Sequence, residues 1–227
     1  ADCCTSCCTC SSWTAAADIL FLTVKHNDID VANRFDSEVA YRITLGWDNG
    51  CGSGLRVRYL DFDADEADDD DNSTLDRMEV DTLDIEWYTT CEICCGTSLD
   101  LSAGVRYIDY LEDFDLNATT QEQYHVDGWG PVVGIQATHC WNDCISLFGL
   151  LRESIVCTDG NAFGTDVDNQ ISLISEVQVG AEMTRCTSYG TLVTRAALEG
   201  QVYGGMGEGL SFDTGLFGGH VSVGLTR

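Results

Sequence analysis

Two residue sets in this chain could do chemistry: thirteen cysteines, and a series of acidic segments built on D-x-[DN]. Five cysteines crowd the opening "ADCCTSCCTC" as Cys3, Cys4, Cys7, Cys8 and Cys10, and a single one, Cys51, follows in "DNGCGSG". Cys91, Cys94 and Cys95 lie in "CEICC", Cys140 and Cys144 in "HCWNDC", and Cys186 in "RCTSYG"; Cys157 stands apart. Thiols at this density hold zinc or close disulfides. "CCTSCCTC" and "CEICC" suit a metal cluster by spacing alone. No cysteine group has the usual histidine spacing, however, and His139 beside Cys140 is the one adjacency. We therefore read disulfides, and with them an oxidising compartment.

The acidic segments supply hard oxygen ligands. "HNDIDVANRFD" carries Asp28 and Asp30, and "DFDADEADDDDN" carries Asp61, Asp63 and Asp65 before four consecutive aspartates. "EDFDLNATT" has Asp113, Asp115 and Asn117, and "TDGNAFGTDVDN" has Asp159, Asn161, Asp166 and Asp168. Alternating carboxylates and amides on loops are what calcium needs, six to eight oxygens at a time. None is an EF-hand, since Glu66 stands where the loop glycine would be required. Calcium is the expected cofactor, with no organic cofactor. A balance of 38 acidic against 11 basic residues, net −27, excludes nucleic acid and anionic headgroups as electrostatic partners and favours cations.

Enzymatic signatures are missing from the sequence: no Gly-x-Ser-x-Gly, no phosphate-cradling loop, no histidine pair at metal spacing. His26, His125, His139 and His220 are scattered. The expectation is a protein that is not an enzyme. Asn72-Ser73-Thr74 and Asn117-Ala118-Thr119 form glycosylation sequons, relevant only in a glycosylating host.

The elements that must position these residues are strands. No apolar run is long enough for a membrane-spanning helix, and period-two alternation dominates. In "SEVAYRITLGW", Val39, Tyr41, Ile43, Leu45 and Trp47 share one face and Arg42 and Thr44 the other. The same pattern predicts ten strands, near 13–25, 36–48, 54–65, 77–90, 97–111, 124–139, 144–157, 170–185, 190–203 and 214–226. Long consecutive strands without helices suit an up-and-down antiparallel β-barrel. We divide the chain into a cysteine-rich arm, 1–12, and one barrel domain, 13–227. The polar strand face is rich in Gly, Ala, Ser and Thr, with Arg42, Arg56, Arg58, Arg106, Arg152 and Arg195 set among Glu176, Glu182 and Glu199. Small residues and opposite charges suit a narrow lumen, which turns the large apolar residues outward. The opposite arrangement is an apolar lumen with a wet exterior.

At "VGAEM", "LDLSAGVRYIDYLED", "DGWGPVVGIQA" and "LFGLLRESIV" the chain resembles the pore-forming outer-membrane barrel family of Legionella and planctomycetes. The likeness is spread over 35–225 as a strand of the GxRY type, a GxGP turn into the next strand and a glycine-rich last strand. It implies a β-barrel in an outer membrane or derived from one. The end "GLTR" lacks the terminal aromatic usual in such barrels, and the cysteine-dense opening is outside the family pattern. An opening Ala-Asp fits a mature end left by small-residue cleavage, hence export.

Strand parity then sorts the chemistry. Alternate hairpins share a pole, which puts every cysteine but Cys157 at the end holding the chain start, together with Trp13, Trp47, Trp87 and Trp141. The acidic segments take the other end. The expected function is structural: an exported, extracellular or cell-surface barrel stacking head to tail with copies of itself, locked by disulfides at one pole and calcium at the other. The alternative is a porin-like, cation-favouring outer-membrane pore.

Overall fold

The computed structural model describes residues 11–26, 37–65, 74–94, 96–117, 120–142, 144–162, 164–206 and 214–227. They form ten strands: β1 (Ser12–His26), β2 (Glu38–Asp48), β3 (Ser53–Asp65), β4 (Thr74–Cys94), β5 (Thr97–Asn117), β6 (Thr120–Cys140), β7 (Ile145–Ala162), β8 (Thr165–Thr187), β9 (Gly190–Gly204) and β10 (Thr214–Thr226). Each pairs antiparallel with the next, and β10 returns to β1, so the sheet closes into an up-and-down barrel. At the seam Trp13 and Arg227 exchange backbone hydrogen bonds of 2.7 and 2.8 Å. Closure leaves no unpaired sheet edge.

One pole holds the short turns β2–β3, β4–β5, β6–β7 and β8–β9 and the foot of the seam; we call it the turn pole and its opposite the loop pole. Asn142 tightens the β6–β7 turn, its Oδ1 accepting from the Cys144 and Ile145 amides at 2.9 Å each. Strands β4 to β8 run 18 to 23 residues, well beyond the expected lengths. Two segments expected as acidic loops are therefore wall. β5 reaches Asn117 before β6 resumes at Thr120, and β7 reaches Ala162 before β8 resumes at Thr165. Their outward face is polar, which reads as loop in a sequence, while the inward positions Tyr110, Tyr124, Val126, Val156 and Val167 are buried.

The GxGP element is a second correction. Gly128, Gly130 and Pro131 sit inside β6, opposite Ile108, Arg106 and Val105. A Cβ at Gly130 would lie 1.8 Å from the Ile155 carbonyl oxygen and one at Gly128 2.1 Å from that of Cys157. The glycines are there so that β6 can press against β7, rather than to turn.

Large apolar side chains face outward on every strand. Ile19, Tyr41, Leu55, Ile85, Leu101, Val133, Leu151, Val179, Leu198 and Val221 represent β1 to β10 in order, and all are exposed. The lumen is filled in two layers. Arginines and carboxylates fill the layer toward the turn pole. The layer toward the loop pole is apolar, built on Leu20, Leu22, Phe62, Met78, Ile108, Tyr110, Tyr124, Ile174 and Tyr203. Small residues and charge pairs had been expected inside, with an apolar lumen as the opposite arrangement; the lumen holds charge pairs in one layer and apolar residues in the other.

Candidate functional site

The ionic layer begins with period two. Each strand that delivers a leucine, isoleucine or tryptophan outward delivers the next residue into the lumen, where a charge survives only if it is paired and hydrogen-bonded. Arg106 donates Nε to Asp84 Oδ1 at 2.7 Å and Nη2 to Asp84 Oδ2 at 3.0 Å, and it also bonds Glu176. Arg152 reaches three carboxylates: Asp84 at 2.6 Å, Glu86 at 2.7 Å, and both oxygens of Glu176 at 2.9 and 2.8 Å. Arg56 grips Glu86 Oε2 through Nε at 2.9 Å and Nη2 at 2.7 Å. Arg58 touches Glu176 at 3.3 Å. A neighbouring group centres on Arg42, which donates to Asp18 at 2.6 Å and to Glu199 at 2.7 and 3.1 Å. His220 Nδ1 lies 2.8 Å from Glu199 Oε2. Nearer the turn pole, Arg195 donates to Glu182 at 2.7 Å.

Below this layer, toward the turn pole, is a well of about 270 Å³. Thr14, Tyr88, Asp100, Arg195 and Thr226 are among its rim residues, and Arg42, Arg58, Gln178 and His220 lie deeper. Above it, Arg106, Arg152, Tyr110, Tyr124, Tyr203 and Phe62 are each less than 2 % exposed. Side chains therefore occupy the cross-section of the barrel, as its narrow bore allows. Among the described residues these side chains separate the well from the loop pole.

The outer wall beyond the apolar zone is acidic. Asp61 pairs with Asp81, Asp81 with Asp109, Asp109 with Asp127, and Asp127 with Asp159, a row of five outward aspartates across β3 to β7. Like charges directly opposite one another repel. Tyr59 donates to Asp81 at 3.1 Å, and His125 Nε2 lies 2.8 Å from Asp109 Oδ1. Partial burial pushes the Asp81 carboxyl up from its ordinary value, and Asp61, Asp109 and Asp63 add to the rise. Glu79, one row further out, is raised by partial burial and by Asp63, Asp81 and Asp113, against the opposing pull of Arg77. Inside the same end of the barrel, Glu112 is a buried carboxyl. It accepts hydrogen bonds from Tyr110 and, at 3.1 Å, from Thr214. Burial pushes its carboxyl up to about 7.

Of the residues expected to bind calcium, Asp61, Asp63, Asp113, Asp159, Asn161, Asp166 and Asp168 lie on strands of this wall, spread over β3, β5, β7 and β8. Asp65, Asp115 and Asn117 are strand residues whose side chains are not described, and Asp28 and Asp30 lie outside the described residues. Among the described residues, no three His, Cys, Asp or Glu side chains converge as a metal site. Cys51, Cys91, Cys94, Cys140, Cys144 and Cys186 are at the turn pole, and Cys157 is on β7. Cys91, Cys94, Cys140, Cys144, Cys157 and Cys186 carry free thiols in this structure, so no disulfide joins the turns through them. Cys3, Cys4, Cys7, Cys8, Cys10 and Cys95 lie outside the described residues. All nine expected lumen residues are on inward positions. Their partners Asp18, Asp84 and Glu86 had not been singled out, although Asp84 and Glu86 alternate with Leu83, Ile85 and Trp87 in the same period.

No protein-family model matches the chain, and no curated protein matches it. Solved structures do. The outer-membrane protease OmpT of Escherichia coli is similar over 95 % of this chain and 96 % of its own, at 11 % identity and a TM-score of 0.52. The β domain of the Bordetella autotransporter BrkA is similar over 96 % of this chain and 99 % of its own, at 12 % identity and a TM-score of 0.53. The fold is that of the outer-membrane β-barrels. At such identities the likeness reaches the architecture and stops there. The resemblance to the Legionella and planctomycete type rests on strand pattern alone.

Proposed function

We propose that this chain is an outer-membrane β-barrel, porin-like in build and without a catalytic role, held in the bilayer by its apolar flank with its acidic wall and loops outside. The carrying observation is the outward apolar belt. On β5 it runs from Leu99 to Tyr107, on β6 from Trp129 to Ala137, and on β10 from Phe217 to Leu225. Each run matches the 9–11 or so residues with which a tilted strand crosses hydrocarbon. Trp13 and Trp47 face each other near the lower margin of the belt, and Tyr107 and Trp129 pack at 4.7 Å near its upper margin. Aromatics at both margins suit the two interfaces. Glu153 interrupts the belt and is hydrogen-bonded by Ser175 at 2.6 Å.

A head-to-tail fibre fits this surface less well. Contacts at the poles leave the encircling belt in water, where a contiguous apolar surface of that size is a liability. Cation-favouring conduction remains the finer reading. It requires the side chains that fill both lumen layers among the described residues to move aside. Calcium is the proposed counter-ion of the outer wall, where repulsion between neighbouring carboxylates must be offset; a melt unchanged by chelation would remove it.

The test is extraction from expressing cells. A bilayer barrel stays with the membrane through alkaline carbonate washing and is released by detergent. Protein that stays soluble without detergent, or that forms regular threads under negative stain, would return the fibre to first place.

A further inference from the structure

The charges of the ionic layer do not match locally. Among the described residues, Arg56, Arg58, Arg106 and Arg152 share three carboxylates, Asp84, Glu86 and Glu176. Glu176 gives both oxygens to Arg152 and one to Arg106 as well, so Arg58 is the third claimant and reaches it through Nη1 alone at 3.3 Å. Arg58 is 7 % exposed, and a guanidinium buried that deeply ordinarily spends most of its five donors. Two residues along β8 from Glu176, on the same inward face, Gln178 is 5 % exposed and its Nε2 has no hydrogen-bond partner among the described residues. An orphaned buried amide donor is costly. Both side chains line the well.

We infer that the well is a binding site for a small oxyanion, a carboxylate or a phosphate, held by Arg58 and Gln178. The anion would complete the Arg58 charge and give the Gln178 amide an acceptor, with charge-assisted hydrogen bonds carrying the affinity. The other well-facing charges balance, Arg42, Arg56 and Arg195 against Asp18, Asp100 and Glu182. Asp18 and Glu182 are already engaged by Arg42 and Arg195, and Asp100 accepts from Thr90 at 2.5 Å. The hydroxyls of Thr14, Thr44 and Ser222 line the walls and can serve further ligand oxygens. The volume, about 270 Å³, exceeds the space of a few waters yet excludes an extended chain. This site lies in a chain of net charge −27, so selectivity for an anion must come from the local donors.

The experiment uses the full chain folded in a zwitterionic detergent and reads the unfolding midpoint with sodium phosphate, sodium succinate or sodium chloride at matched ionic strength. At roughly a hundredfold excess over Kd the binding oxyanion raises the midpoint by about 5–10 °C over chloride; whichever of phosphate and succinate does so identifies the class. Arg58→Gln abolishes the rise. Gln178→Glu supplies a carboxylate from the wall itself, and it raises the midpoint without added anion and removes the response. Equal effects of all three salts would overturn the proposal, as would an undiminished rise in Gln178→Glu, the variant that decides the matter if Arg58→Gln does not fold.

Discussion

Two residues along a strand separate the two halves of the lumen. Asp18 is followed inward by Leu20, Arg42 is preceded by Ala40, and Arg58 gives way to Leu60, so the same strands fill one layer with ion pairs and the next with hydrocarbon and phenol. The apolar layer gains from burial and needs no particular partner. The ionic layer gains little over a well-packed apolar substitute, but it penalises any lost partner heavily. One layer should therefore fail gradually and the other abruptly.

Arg152 tests the difference hardest. Arg152→Met removes the buried hydrogen bonds that Arg152 donates to Asp84, Glu86 and Glu176, and we expect a loss of about 3–5 kcal/mol in unfolding free energy in detergent. A loss below that of an apolar truncation would erase the distinction. On the apolar side, Ile108→Ala should cost about 2–4 kcal/mol through the lost contacts and the cavity.

Glu112 is the misfit that sharpens the comparison, a carboxyl placed among the apolar layer. Burial raises its folded pKa to about 7, so the folded state holds the proton more tightly than the unfolded chain. Its ionisation therefore costs stability as pH rises from the ordinary glutamate range toward 7, and the full cost of about 3 kcal/mol is felt above that. Glu112→Gln should be neutral near pH 4 and stabilising near pH 8, read from unfolding midpoints across the range. A flat wild-type profile would contradict it. The smallest effect belongs to the outer row. Asp81→Asn removes one of five adjacent like charges on a solvated wall and should stabilise by a few tenths of a kcal/mol at low salt, fading as salt is added.

The barrel was legible because a closed sheet writes its two faces into alternate residues. "SEVAYRITLGW" shows both at once, with Arg42 and Thr44 inward and Tyr41 and Ile43 outward. Arg106 and Arg152 were legible as lumen residues for the same reason. What stayed hidden was layering along the axis. Leu20 and Leu22 alternate no differently from Ala16 and Asp18, and which of them meets hydrocarbon depends on register across the barrel, a property no single strand carries. The aspartate row was hidden likewise. Asp81, Asp109 and Asp127 are scattered singly in sequence and become neighbours only through pairing, whereas the clustered aspartates of 61–71 drew attention to loops.

The central claim is that the apolar belt lies in lipid. Trp13, Trp87 and Trp129 are outward and more than half exposed, which makes the direct measurement quenching of tryptophan fluorescence by lipids brominated along the acyl chain, in vesicles holding the folded barrel. Strong quenching, deepest for bromines near the interface, is the predicted result. Fluorescence unaffected by brominated lipid, with the protein folded and recovered outside the vesicles, would contradict it.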